Sequence, residues 1–213
     1  MASSVAGGDK CLNTLTIIDD IATHGLSVCD AFLSPQEVVD LQRCLPEQWA
    51  QATIGREKKQ HTNTQIRRDK IHWLERDKMP AVDTLLDKMA DLQHAFNRHL
   101  FLGLFEYEAH FAKYNPGDFY AKHYDAFEGR SNRKVTTVLY LNRDWSERDG
   151  GEIVIYNPDG SHRQTLWPKA GRLVTFLSEA FPHEVLPAKR QRFSIAGWYR
   201  LNGMSGQRVD PIR

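Results

Sequence analysis

Four positions in this chain can combine into one piece of chemistry: His123 and Asp125 in the stretch Ala121-Lys122-His123-Tyr124-Asp125, then His183, then Arg192. A β-strand points alternate side chains to one face, so a strand through this stretch lets His123 and Asp125 converge on one point. Two imidazoles and one carboxylate that leave coordination positions open form the facial arrangement suited to non-haem Fe(II). A closed structural zinc site wants four protein ligands instead. His123, Asp125 and His183 are therefore candidate metal ligands, and an open site implies catalysis. An isolated His-x-Asp carries little weight among nine histidines. The spacing to a second His and to an Arg carries most of it.

If Arg192 to Arg200 is a strand, Arg192, Ser194, Ala196 and Trp198 share one face while Phe193, Ile195, Gly197 and Tyr199 share the other. An arginine heading a face that is otherwise small or aromatic needs an anion to justify its burial. A planar guanidinium takes a carboxylate in bidentate fashion, and a turn over Pro187 to Gln191 brings it back beside His183. Tyr140, ending the run Val138-Leu139-Tyr140, can donate its hydroxyl to the same carboxylate; taken singly it reads as a core tyrosine with one satisfied hydroxyl.

These residues need a scaffold, and the pattern supplies one. Ser34-Pro35-Gln36-Glu37 is a helix start with a cap, a proline at the first position and a capping box. Val82, Leu85, Leu86, Met89, Leu92, Phe96 and Leu100 recur at intervals of three and four, predicting an amphipathic helix from Pro80 to about Leu100. After Gly103 the pattern changes to short strands, expected at Phe105 to Tyr114, Phe119 to Asp125, Lys134 to Asn142, Glu152 to Tyr156, Arg172 to Leu177, Glu184 to Leu186 and Arg192 to Arg200, with a further short strand around Lys70 to Leu74. Turn chemistry such as Asn157-Pro158-Asp159-Gly160 separates them. Short strands after helices predict a mainly β fold with supporting α, an antiparallel jelly roll backed by N-terminal helices. Met1 to about Lys10 reads as disordered, and Leu12 to Leu26 as a strand or helix.

The chain has 213 residues, enough for one substantial core, and Lys plus Arg exceed Asp plus Glu by only one. Such a balance gives no global field for nucleic acid or an anionic membrane. No long apolar run and no apolar leader is present, so a cytoplasmic protein without a membrane partner is expected. Cys11, Cys29 and Cys44 are odd in number and match no metal spacing, and they read as free thiols. His24, His61, His72, His94, His99, His110 and His162 read as structural or exposed. The polar stretch Gln51 to Arg76, with Arg56, Lys58, Lys59, Arg67 and Arg68, is either a solvated loop or a finger over a site.

The order His123-x-Asp125, His183, Arg192, with Tyr140-Leu141-Asn142 and Gly150-Gly151-Glu152-Ile153 between, resembles the 2-oxoglutarate- and Fe(II)-dependent prolyl 4-hydroxylases. It is most similar to the EGL-nine type, the hypoxia-inducible-factor prolyl hydroxylases and their bacterial relatives. Arg67-Arg68-Asp69-Lys70-Ile71-His72-Trp73, Tyr114-Asn115-Pro116-Gly117, Leu141-Asn142-Arg143-Asp144-Trp145 and Ser194-Ile195-Ala196-Gly197-Trp198-Tyr199 follow in family order, so the resemblance covers roughly Asp30 to Leu201.

That resemblance implies a double-stranded β-helix core, and it divides the chain into a disordered 1–12, one oxygenase domain over 13–201 and a tail over 202–213. Within the domain it implies helical support over 30–102, a jelly-roll core over 103–201 and a mobile substrate loop at about 51–73. His123, Asp125 and His183 would hold Fe(II), and Arg192 with Tyr140 would clamp the distal carboxylate of 2-oxoglutarate. Tyr114 would share that pocket, and Trp198 and Arg67 would stand on the substrate side. A charge pair of Asp69 with Arg133 would link the substrate loop to the barrel. O2 would be the second cosubstrate, ascorbate a supporting reductant, and succinate and CO2 the coproducts of hydroxylating prolyl C4 in a protein such as elongation factor Tu.

Three rivals stand beside this reading. A nucleic-acid demethylase of the same fold resembles its kin in a second arginine six residues after the first, where this chain has Trp198. A hydroxylase of free amino acids or other small molecules shares the iron triad, although the cationic finger favours a peptide. A non-catalytic jelly-roll binding module would be free to lose the triad, and this chain retains it.

Overall fold

The structure is a computed structural model that describes residues 6–52, 65–126, 132–202, 204–205 and 208–209, with side chains from residue 14 to residue 202 within those limits. Helix α1 runs Ala6–His24 and buries Ile17, Ile18 and Ile21 before stopping at Gly25, whose φ of 69° ends it cleanly. The helix therefore starts inside the stretch expected to be disordered. Once its apolar turn is docked, extending a helix costs little compared with starting one. Strand β1 (Leu26–Cys29) follows, then α2 (Pro35–Arg43), where Ser34 and Glu37 make the predicted reciprocal capping box.

Short β2 (Ala50–Gln51) and β3 (Lys70–Trp73) lead to α3 (Pro80–Leu100), which buries Val82, Leu85, Met89, Leu92 and Phe96 along one stripe. The strands β4 (Leu104–Tyr114), β5 (Tyr120–His123), β6 (Arg133–Tyr140), β7 (Ile153–Tyr156), β8 (His162–Leu166), β9 (Leu173–Leu177), β10 (His183–Val185) and β11 (Arg192–Leu201) complete the body. A last pair, β12 (Met204–Ser205) and β13 (Arg208–Val209), forms in the tail. β8 has no counterpart among the sequence expectations. Its burial runs outward at His162 and Arg163 and inward only at Leu166, so hydropathy marks it weakly.

A seven-stranded sheet has the order β1-β9-β6-β11-β4-β3-β2, and a four-stranded sheet the order β5-β10-β7-β8. Every strand pairing in them is antiparallel. The two sheets face each other as the jelly roll requires. The large sheet is buried on both faces. Phe111, Leu139, Leu173, Ile195 and Tyr199 pack with the three helices on one side, while Val138, Tyr140, Val174 and Phe176 meet Ile153, Ile155 and Phe181 on the other. β11 shows the division directly: Ile195 and Tyr199 enter the helical core, and Arg192, Ser194, Ala196 and Trp198 look between the sheets. Alternation thus turns one strand into scaffold on one side and site on the other.

Candidate active site

Between the sheets lies a cleft whose walls include His123, Asp125, His183, Arg192, Tyr114 and Trp198. His123 and His183 arrive from neighbouring strands of the small sheet, where they are register partners. Each ring is oriented by its own backbone: His123 Nδ1 lies 2.8 Å from the Ala121 carbonyl and His183 Nδ1 3.1 Å from the Phe181 carbonyl. A carbonyl only accepts, so both Nδ1 atoms carry the proton and both Nε2 lone pairs are free for a metal. Tyr120 stacks on His123 at 3.5 Å, and Phe176 meets the His183 ring at 4.8 Å.

Asp125 sits in a bend just beyond β5 instead of within the expected strand. It converges nonetheless, with Oδ1 3.5 Å from His123 Nε2 and Oδ2 3.6 Å from His183 Nε2, and the candidate ligand atoms of all three residues lie within 4.8 Å of one another. Burial by itself raises the Asp125 carboxyl, but the two imidazoles beside it, His183 ahead of His123, outweigh it and hold it well below the usual carboxylate range. Burial, aided by His123, pulls the His183 imidazole down to about 4. At neutral pH Asp125 is ionised and His183 neutral, the forms in which each can ligate.

At the other end of the cleft Arg192 is only 1% exposed. Its Nε donates to the Gly151 carbonyl at 2.9 Å and its Nη1 to Ser194 Oγ at 3.3 Å, while Nη2 has no partner. Gly151 permits this approach: at φ 74° a Cβ would stand 3.2 Å from Arg192 Cδ and 2.9 Å from Ala188 Cβ. Among the described residues no carboxylate pairs with Arg192. The guanidinium lies 4.8 Å from the Tyr114 ring and 5.1 Å from the Tyr140 ring, and the Tyr140 hydroxyl is buried without a partner. Register explains the grouping, since Arg192 is opposite Tyr114 and Ser194 opposite Tyr140. Burial pushes both phenols up, so both remain neutral donors.

A buried cation with a free N–H beside an orphaned hydroxyl calls for an anion. A two-histidine, one-carboxylate set calls for an open metal site. The residues present therefore fit Fe(II) with an acidic chelating cosubstrate spanning the cleft.

The substrate-side residues divide. Trp198 lines the cleft, held between Arg133, whose guanidinium is 3.6 Å above it, and His110 at 5.5 Å. The expected pair of Asp69 with Arg133 is not found among the described residues. Asp69 is fully buried and bidentate with Arg67, at 2.6 and 2.9 Å, whereas Arg133 reaches Glu108 at 2.8 Å. Arg67 is two residues from Asp69 and wins by proximity; Arg133, on β6, passes over Trp198 of β11 to reach Glu108 on β4. Residues 53–64 of the expected substrate loop lie outside the described residues.

His110, read from sequence as structural or exposed, and Tyr120, which the sequence did not single out, both stand in the cleft wall. His110 is 2% exposed and sits edge-on to Trp73 at 5.2 Å. Tyr120 carries Arg67 on its ring at 4.6 Å and His123 beneath it. The alternation of β4, which puts His110, Ala112 and Tyr114 on one face, was the available signal for His110.

The chain is similar to proteins already known. Residues 109–200 match the 2OG-Fe(II) oxygenase superfamily. A prolyl-4-hydroxylase from Pseudomonas putida of known crystal structure is 40% identical, with a TM-score of 0.80 over 89% of this chain and 100% of that one. Egl nine homolog 1 from Homo sapiens is 34% identical over 198 residues, which cover 86% of this chain and 45% of the human protein. A prolyl hydroxylase from Trichoplax adhaerens, crystallised with a hypoxia-inducible-factor peptide, is 24% identical with a TM-score of 0.80 over 94% of both chains, and shows the shared fold. The chain spans about half the length of the curated Egl nine relatives it matches. With a paired-sheet jelly roll, a His-Asp-His cluster and these likenesses together, the chain belongs to the 2OG-Fe(II) oxygenase superfamily.

Proposed function

We propose that the chain is a 2-oxoglutarate- and Fe(II)-dependent dioxygenase that hydroxylates C4 of a prolyl residue in a protein, acting in the cytoplasm. The observation that carries the reading is Arg192, an almost fully buried cation with an unpartnered Nη2, in one cleft with His123, Asp125 and His183. In it, His123, Asp125 and His183 are the iron ligands, and Arg192 with Tyr140 holds the distal carboxylate of 2-oxoglutarate. Tyr114 borders the same cosubstrate. Trp198, Arg67 and the buried Asp69 stand on the side where the target residue enters. The resemblance to prolyl 4-hydroxylases in Pseudomonas putida and in animals supports a prolyl target, and elongation factor Tu is the candidate substrate for a bacterial relative. Among the described residues no helix is long and apolar enough to cross a membrane.

Bound Fe(II) with 2-oxoglutarate and O2 supplies the oxidising power, ending in a hydroxyl on carbon, succinate and CO2. The chain contributes geometry. His123 and His183 present fixed Nε2 lone pairs because their Nδ1 protons are committed to Ala121 and Phe181. Arg192 and Tyr140 fix one end of the cosubstrate by charge-assisted and neutral hydrogen bonds. Val138, Ile153 and Val185 line the cleft and exclude water from its middle. Trp198 lines the cleft on the side of the target residue and is held in place by Arg133.

The test is 2-oxoglutarate turnover with purified elongation factor Tu. Succinate release stimulated by that protein, with one proline gaining an oxygen and the stimulation lost when that proline is replaced, supports the reading. Turnover stimulated only by free amino acids would transfer it to the small-molecule rival.

A further inference from the structure

Asp125 follows β5 of the small sheet, yet its carboxylate is anchored from the large one. Thr136 on β6 places Oγ1 2.8 Å from Asp125 Oδ2, and Ser178, just after β9, places Oγ 2.9 Å from Thr136 Oγ1. Both residues are buried, at 1% and 0% exposure. An ionised carboxylate only accepts, so the single Thr136 hydroxyl proton goes to Asp125, and the remaining contact must use the Ser178 proton. The order is Ser178 to Thr136 to Asp125. Packing alone does not ask for these hydroxyls: valine has the shape of threonine, and the same strand already carries Val135 and Val138. Burying a hydroxyl costs free energy unless it is hydrogen-bonded, and here the bond it makes is to a candidate metal ligand.

We infer that Thr136, backed by Ser178, is a positioning residue that occupies Oδ2 and leaves Oδ1 as the one oxygen with which Asp125 binds the metal. A carboxylate held to one oxygen keeps a coordination position open that a bidentate carboxylate would fill. The inference rests on the ligand set proposed above. It also joins the sheets mechanically, since the histidines belong to the small sheet and the hydroxyl that steers the third ligand to the large one.

The test is calorimetric titration of the whole metal-free protein with Mn(II), paired with Co(II) absorption, whose visible intensity reports coordination number. Thr136→Val is expected to bind Mn(II) roughly 10- to 100-fold more weakly, the range usual for partners of metal ligands, and to change the Co(II) spectrum. Thr136→Ser restores both, and Ser178→Ala weakens binding by a smaller factor. Unchanged Mn(II) affinity and Co(II) spectrum in a folded Thr136→Val protein would overturn the inference. If that variant does not fold, unchanged affinity in Ser178→Ala overturns it. Asp125→Ala separates the two levels: if it binds Mn(II) like the parent, the ligand assignment itself fails; if it loses the metal while Thr136→Val keeps it, only the positioning role fails.

Discussion

His123 on β5 and His183 on β10 are register partners across an antiparallel pair, with ring centroids 4.3 Å apart and planes at 55°. Two strands that share hydrogen bonds cannot separate these rings without breaking the small sheet. The metal site is therefore largely preformed, and a bound ion should stabilise the fold. With Mn(II) at a hundred times its Kd the gain is about 2.7 kcal/mol. For a chain of this size that raises Tm by roughly 5 to 10 °C. His183→Ala is expected to lose the shift, which differential scanning calorimetry with and without EDTA would show.

Arg192 should govern the cosubstrate and not the metal. Removing one partner of a buried charge pair costs about 2 to 5 kcal/mol. Arg192→Ala should therefore weaken 2-oxoglutarate binding by roughly 30-fold to several thousand-fold, with Mn(II) affinity unchanged. Tyr140→Phe removes one neutral donor and should cost about 1 kcal/mol. Competition titrations with 2-oxoglutarate measure both, and an Arg192→Ala protein with parental affinity would take Arg192 out of the site.

The Arg67 and Asp69 pair is almost wholly buried, at 13% and 0% side-chain exposure. Breaking such a pair from one side leaves an uncompensated charge and costs about 3 to 5 kcal/mol. Asp69→Ala should lower the urea midpoint accordingly. A double-mutant cycle should find coupling between Asp69 and Arg67 and almost none between Asp69 and Arg133.

His110 gives the stability a pH dependence. Burial, with Arg67 adding to it, lowers this imidazole to about 4 from its ordinary 6.5. Between those values the unfolded chain binds the proton and the folded chain does not. This contribution is therefore complete above about pH 6.5 and is lost as pH falls toward 4. Its full size is about 3 kcal/mol. His110→Phe should flatten the urea-derived stability curve in that window by up to one proton, leaving the slope above pH 7 untouched.

How much of this was legible beforehand depends on the range of the interaction. The cap at Ser34, the stripe of α3 and the two faces of β11 are local, set by period and by neighbours within four residues, and the sequence displays them. The triad and Arg192 were visible because their residue types are chemically distinctive. Thr136, Ser178 and Tyr120 were not, since a hydroxyl or phenol becomes part of a site only through contacts made by folding, as with Thr136 and Ser178 across 42 positions. The partner of Asp69 was misjudged for a related reason. Arg67 and Arg133 both stand in that region, and only the folded geometry decides which one reaches Asp69.

The most direct measurement is a crystal structure with Mn(II) and 2-oxoglutarate bound. The expected result has the metal on His123 Nε2, Asp125 Oδ1 and His183 Nε2, and the distal carboxylate of 2-oxoglutarate on Arg192 Nη2 and the Tyr140 hydroxyl. A metal bound elsewhere, or a cosubstrate that leaves Arg192 without an anion, would contradict it.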